Sequence, residues 1–142
     1  MHLLFNNFHY RENCMKYGYI KTVQLSFEDV NDRIRFCLEE QGFGVLTEID
    51  VKSTLKKKLD KDFQKYTILG ACNPPLAFEA LNDEQAIGLL LPCNVVLWEN
   101  EDLSTTIAAI DANRMMTIVE NNKLHDLANK VNKLLQNAVD NV

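Results

Sequence analysis

A chain of 142 residues with 46% apolar and 25% charged side chains has the composition of one globular domain, long enough to bury a core without metals or disulfides. Five Gly and three Pro exclude collagen-like and linker-rich character, and the longest near-continuous apolar run, residues 86–96, is too short to span a bilayer, so no membrane partner is expected. Fifteen basic against twenty acidic residues leave a formal charge of −5, which disfavours nucleic acid as a partner.

Residues 1–14 show no periodicity, contain His2 and His9, and precede Met15; they read as a flexible N-terminal extension, with the domain at residues 15–142. The opening residues have neither a basic n-region nor a cleavage pattern. Cys14, Cys37, Cys72 and Cys93 are therefore expected as thiols in a reducing cytoplasm.

Tyr17, Tyr19, Val23 and Leu25 alternate with period two and predict a first strand over residues 17–25. Ser26 is placed as an N-cap, and Phe27, Val30, Ile34, Cys37 and Leu38 follow at helical spacing until Gly42 stops the helix. Cys37 on that face reads as a small core residue. Residues 43–49 predict a second strand with Val45, Thr47 and Ile49 on one face. Residues 50–61 predict a helix with Leu55 and Leu59 as its apolar edge. Its lysines, Lys52, Lys56, Lys57, Lys58 and Lys61 among them, read as a solvated face before they read as an anion surface.

A third strand is expected over residues 66–71, then a helix started by Asn73 as cap and Pro74 in the first turn, running to residue 82. Residues 86–91 are apolar all round and read as buried, as strand or as helical turn. Residues 95–99 and 104–110 predict a hairpin. The last helix is the clearest element, with Leu124, Leu127, Ala128, Val131, Leu134, Leu135, Ala138 and Val139 in one stripe that closes the helix layer or meets another subunit. A late hairpin forbids a wholly parallel sheet. The expected class is α+β, a mainly antiparallel sheet with helices packed on one face and a C-terminal amphipathic helix.

One phrase recurs: Cys72-Asn73-Pro74 ends the third strand and Pro92-Cys93-Asn94 opens the hairpin. A thiol just before a helix N-terminus has a physical reason to be reactive, since unpaired N–H groups and the dipole stabilise a thiolate. On that reading Cys72 attacks, Cys93 resolves, and Asn73 and Asn94 donate to an anionic intermediate. His125 is the only histidine beyond the extension, so a base would arrive from the last helix. The same two sulfurs fit a soft-metal site, although the spacings of structural zinc sites are absent. Against both stands the ordinary fate of cysteine, which is burial, and of Asn-Pro, which is capping. No phosphate-loop, dinucleotide or hydrolase motif names a cofactor. Glu48 with Asp50 reads as a solvated strand face before a carboxylate pair, Trp98 as closing a core, and Met115-Met116 as core filler.

Residues 42–51 (Gly42-Phe43-Gly44-Val45-Leu46-Thr47-Glu48-Ile49-Asp50-Val51), Ile68-Leu69-Gly70-Ala71-Cys72-Asn73-Pro74, and Ile87-Gly88-Leu89-Leu90-Leu91-Pro92-Cys93-Asn94-Val95-Val96 together resemble the domain-of-unknown-function family 302. The resemblance spans residues 16–135 and carries Cys72, Asn73, Pro74, Pro92, Cys93 and Asn94 onto that family's signature positions. It implies a compact α+β domain and a homodimer, and it names no activity. Ala112 follows Asp111 where the resemblance expects proline, which implies a looser turn there. The function expected is a dimeric small-ligand-binding or structural module with its candidate site at Cys72, Cys93, Asn73, Asn94, Pro74 and Pro92. The alternatives are thiol redox chemistry and a soft-metal module.

Overall fold

A computed structural model describes residues 16–142; the N-terminal extension, with His2, His9 and Cys14, lies outside the described residues. Five strands form one antiparallel sheet in the order β1-β5-β4-β3-β2, with β1 at Gly18–Val23, β2 at Gly44–Asp50, β3 at Tyr66–Cys72, β4 at Cys93–Glu99 and β5 at Thr105–Ile110. Helices α1 (Phe27–Glu40) and α5 (Asn122–Asp140) pack on one face. Helix α2 (Val51–Leu59) sits in the β2–β3 connection, while α3 (Pro74–Asp83) and the single turn α4 (Ala112–Met115) gather at the N-terminal half of α5. The expected α+β class, with its C-terminal amphipathic helix, describes this architecture.

The period-two pattern explains the layering. Leu69, Ala71, Cys93, Val95, Leu97, Ile107 and Ala109 occupy alternate strand positions and meet Val30, Ile34 and Leu38 of α1 and Leu135, Ala138 and Val139 of α5 in the main core. A second core joins Ala80, Ile87, Ala112 and Met116 to Leu124, Leu127 and Ala128. The α5 stripe is thus spent within the chain, as the closing of the helix layer, and Leu127 is only 5% exposed. Lys21, on the helix-side face of β1, donates to the Asp140 carbonyl at 2.9 Å, where the helix dipole favours a cation.

Three expectations change. A bulge between Val45 and Thr47 breaks the alternation of β2, so Val45 opposes Ala71 on the helix side, whereas Thr47 and Ile49 oppose Gly70 and Ile68 on the other face. Leu59 is exposed; of the apolar residues of α2 only Val51 and Leu55 are half-buried. Residues 85–90 form a 3-10 helix that is not buried all round: its three-residue repeat turns Ile87 and Leu90 into the second core and leaves Leu89 88% exposed.

The turn at Asp111 is pinned, not loose. Asp111 caps α4 by accepting from Asn113 and Arg114 N–H. The Ala112 N–H, which proline would lack, donates to the buried Asn132 Oδ1 at 2.8 Å, and Asn132 Nδ2 returns to Asp111 Oδ1 at 3.0 Å. Replacing Asn132 with Ala leaves the Ala112 N–H buried without a partner and should cost about 1–3 kcal/mol in denaturant unfolding; Ala112→Pro, which removes that donor and stiffens the chain, should cost less. At Gly70 the strands pass so close that an added Cβ would strike Thr47 Oγ1 and come within 2.8 Å of Pro92 Cγ. Gly70→Ala should therefore destabilise by about 1–3 kcal/mol, measured the same way.

Candidate functional site

The phrase at residues 72–74 is built around its asparagine. Asn73 caps α3, its Oδ1 accepting from the Leu76 N–H at 3.4 Å, while its Nδ2 reaches back to the Gln41 carbonyl at the end of α1 at 3.5 Å. Gly42 turns the chain there with φ +83°, and a Cβ on it would stand 3.1 Å from Asn73 Nδ2. One amide side chain therefore starts α3 and ties it to the end of α1. Pro74 and Pro75 fill the first turn and are exposed.

This arrangement uses up the donors a thiolate would want. Pro74 and Pro75 have no N–H, Leu76 N–H goes to the Asn73 side chain, and Ala77 N–H goes to the Asn73 carbonyl. The start of α3 offers Cys72 no free backbone donor. His125 is exposed on α5, its Nε2 3.0 Å from the Val119 carbonyl, and does not line the space beside the cysteines.

The sheet brings the two cysteines onto neighbouring strands but out of register. Cys93 opposes Ala71, and Asn94 opposes Gly70. Regular alternation therefore turns Cys93 with Ala71 toward the helices and gives Cys72 the opposite parity. Cys37, Cys72 and Cys93 are all free thiols. Cys93 is 7% exposed, and burial, with a smaller contribution from the charge of Cys72, pushes its thiol up to about 11. That is the environment of an inert thiol, not of a resolving one. Asn94 is exposed and faces away from Cys93, so the two asparagines do not converge on one anion.

What Cys72, Cys93, Asn73 and Pro92 share is a cavity of about 50 Å³. Ala71 and Phe43 close it from the sheet side, Leu76 and Ala80 from α3, and Leu127 and Ala128 from α5. Met115 and Met116 contribute to its wall as well as to the cores. Its lining contains no Asp, Glu, Lys, Arg or His. Cys93 and Ala71 are buried, whereas Cys72, Asn73 and Pro92 are half-buried and so lie toward its outer end. Pro92 follows a cis peptide bond. The cavity side chains from α3 and α5 were invisible as a site in the sequence, where they read only as apolar periodicity.

The other polar candidates have structural work. Glu48 pairs with Arg35 at 2.8 Å, and Asp50 caps α2 by accepting from Ser53 N–H at 2.9 Å, so the two carboxylates do not act as a pair. Trp98 does not close the helix-side core; its parity puts it on the opposite face, stacked on Tyr66 at 5.7 Å. Among the described residues there is no group of three or more His, Cys, Asp or Glu placed to hold a metal ion. Nor does any described helix have the length and apolarity to cross a membrane.

Residues 19–142 match the family model described as domain of unknown function DUF302. A solved structure, an uncharacterised conserved DUF302 protein from Bacillus stearothermophilus, superposes with a TM-score of 0.83 at 26% identity, over 89% of this chain and 98% of that one. No curated protein matches the chain.

Cys93 should resist alkylation in the folded protein while Cys72 reacts: peptide mapping after iodoacetamide at pH 8 should find label at Cys72 and none at Cys93. A thiol raised in the fold keeps its proton after the unfolded chain has released its own. Its contribution is present below pH 9 and lost as the pH rises to about 11. Denaturant unfolding between those pH values should lose up to about 3 kcal/mol in the wild type through this residue, and that part of the loss should vanish in Cys93→Ala.

Proposed function

The chain belongs to the DUF302 family, and from the geometry of its site we propose that it is a binding module for a small, uncharged, mainly apolar ligand held in the cavity beside Cys72 and Cys93. The observation that carries this reading is the lining: apolar walls drawn from the sheet end, α3 and α5, two thiols, one amide, and no formal charge. A void of about 50 Å³ has room for about three or four water-sized groups, which suits a ligand of a few heavy atoms. Dry apolar cavities of this kind take up such molecules because they restore dispersion contacts that the wall lacks. Asn73 at the outer end supplies the polar contact that would orient the ligand.

Thiol redox chemistry has less support. The cysteines are offset by one residue across β3 and β4, Cys93 is buried with a raised pKa, and no base lines the cavity. A soft metal ion would depend on Cys72 and Cys93 with the thioethers of Met115 and Met116, the remaining sulfur groups of the wall.

Xenon or benzene is the direct probe. Heteronuclear spectra should show shifts at Cys93, Leu127 and Ala128, saturating with dose. Ala128→Leu, which fills the cavity from α5, should remove the response while the circular dichroism of the fold remains. Shifts scattered over the surface, or a response unchanged in the filled variant, would rule the reading out.

A further inference from the structure

We propose that the groove at the tip of the β4–β5 hairpin, on the sheet face turned away from the helices, is a carbohydrate site that takes a neutral pyranose against the ring of Trp98. The register builds it. Thr22, Thr106, Trp98 and Tyr66 stand side by side across β1, β5, β4 and β3. Tyr66 stacks on one side of the Trp98 ring, with centroids 5.7 Å apart and planes within 6°. Trp98 lines the groove and Tyr66 does not, so the indole forms its wall, with Thr106 and the exposed Thr22 as the floor beyond it. The turn at residues 100–103 closes one end. The groove measures about 760 Å³, within the range of small-molecule sites. Leu103 stands at its rim with φ +67° and is 69% exposed, a bulky side chain where the backbone favours Gly or Asn, and it joins neither core.

The polar groups of the groove are arranged as a relay that ends in free hydrogen-bonding capacity. Trp98 Nε1 donates to Asn100 Oδ1 at 3.1 Å, and Asn100 Nδ2 donates to the Ser104 and Thr106 hydroxyls at 3.0 and 2.9 Å. Thr106 shares a 2.8 Å hydroxyl contact with Thr22. With Thr106 accepting from Asn100, its proton can pass to Thr22, which leaves the Thr22 hydroxyl to donate outward. The exposed Gln64 amide has no partner among the described residues. A pyranose with equatorial hydroxyls suits this pattern. Its axial C–H bonds turn weakly positive hydrogens to the negative face of the indole, and its rim of hydroxyls meets Thr22 and Gln64. An anion is disfavoured, since the lining holds Glu99, Glu101 and Asp102 and no Lys, Arg or His. An organic cation has less to bind than that count suggests. Glu99 pairs with Lys65 at 3.6 Å and Asp102 accepts from the Ser104 N–H and hydroxyl, so only Glu101 is unengaged.

Trp98 is the single tryptophan of the chain, so its fluorescence reports on the groove directly. Glucose or cellobiose, titrated over the millimolar range, should change the emission saturably, and mannitol, which has no ring face, should not. Thr22→Val and Gln64→Ala, both at exposed positions that the fold tolerates, should each raise the dissociation constant about three- to tenfold, and the double variant should lose saturation. Leu89→Ala, outside the groove, should bind as the wild type does. The benzene response at Cys93 and Leu127 should persist in the double variant, because that cavity lies on the other side of the sheet. A flat emission with unmoved amide signals at Thr22, Gln64 and Asn100 overturns the proposal. So does a saturable response that survives in the double variant, or one given by tetramethylammonium and by neither sugar, which would make the groove a cation site.

Discussion

The pairing of β3 with β4 is the constraint on which the rest of this molecule depends. Opposing Ala71 to Cys93 and Ile68 to Val96 fixes, in one step, which side chains enter the core and which lie on the other face. A slip of one residue would exchange the two sets. Gly70 enforces the register sterically, since Thr47 and Pro92 fill the space above it and no side chain can take its place without moving them. The same register sets the two cysteines side by side but with opposite parity. Both thiols nonetheless reach the wall of the same cavity, Cys93 buried in it and Cys72 half-buried.

Asn73 performs a complementary task at the end of the sheet. Its two side-chain hydrogen bonds join the start of α3 to the end of α1, and the one it accepts takes the Leu76 N–H, a donor of the kind that makes helix N-termini anion sites. With two prolines in the first turn, little positive potential from N–H groups remains beside Cys72. The space between α3, α5 and the sheet is therefore lined by apolar side chains, with two thiols and one amide as its polar groups. The Asp111–Asn132 link to the Ala112 N–H holds the α5 side of this space in the same way, through a buried amide that satisfies both partners.

Most of the fold was legible because its signals are local. Alternation gave the strands, the spacing from Phe27 to Leu38 gave α1, and the long stripe gave α5. What escaped was set by contacts distant in sequence. The bulge at Leu46 has no signature in its own residues, so Thr47 and Ile49 were placed with Val45 although they belong to the other face. The 3-10 turn at Ile87 and Leu90 looked buried because hydropathy cannot say which apolar side chain finds a partner. The site was half legible: the recurring Cys-Asn phrase marked one end of the cavity, but the reactivity assigned to it assumed free donors that Asn73 takes. The other walls, Ala80, Leu127 and Ala128, carry no chemical mark. Asn132 did leave one, as an amide inside an apolar stripe.

Both faces of the sheet follow from the composition of its central strands. In β3 and β4 the positions turned from the helices are Tyr66, Ile68 and Gly70, then Asn94, Val96 and Trp98, and only Asn94 is strongly polar. Strands that read as apolar on both sides belong to sheets covered on both sides. The helix layer supplies one cover, and it is complete, since α1 and α5 bury the row from Leu69 to Ile107. An edge of the sheet offers no comparable demand: β2 is bulged and carries Glu48, devices that discourage strand addition. The opposite face is only partly open: toward β1 and β5 Ile20 is 2% and Thr106 3% exposed, whereas toward the bulged edge Ile49 is 48% exposed.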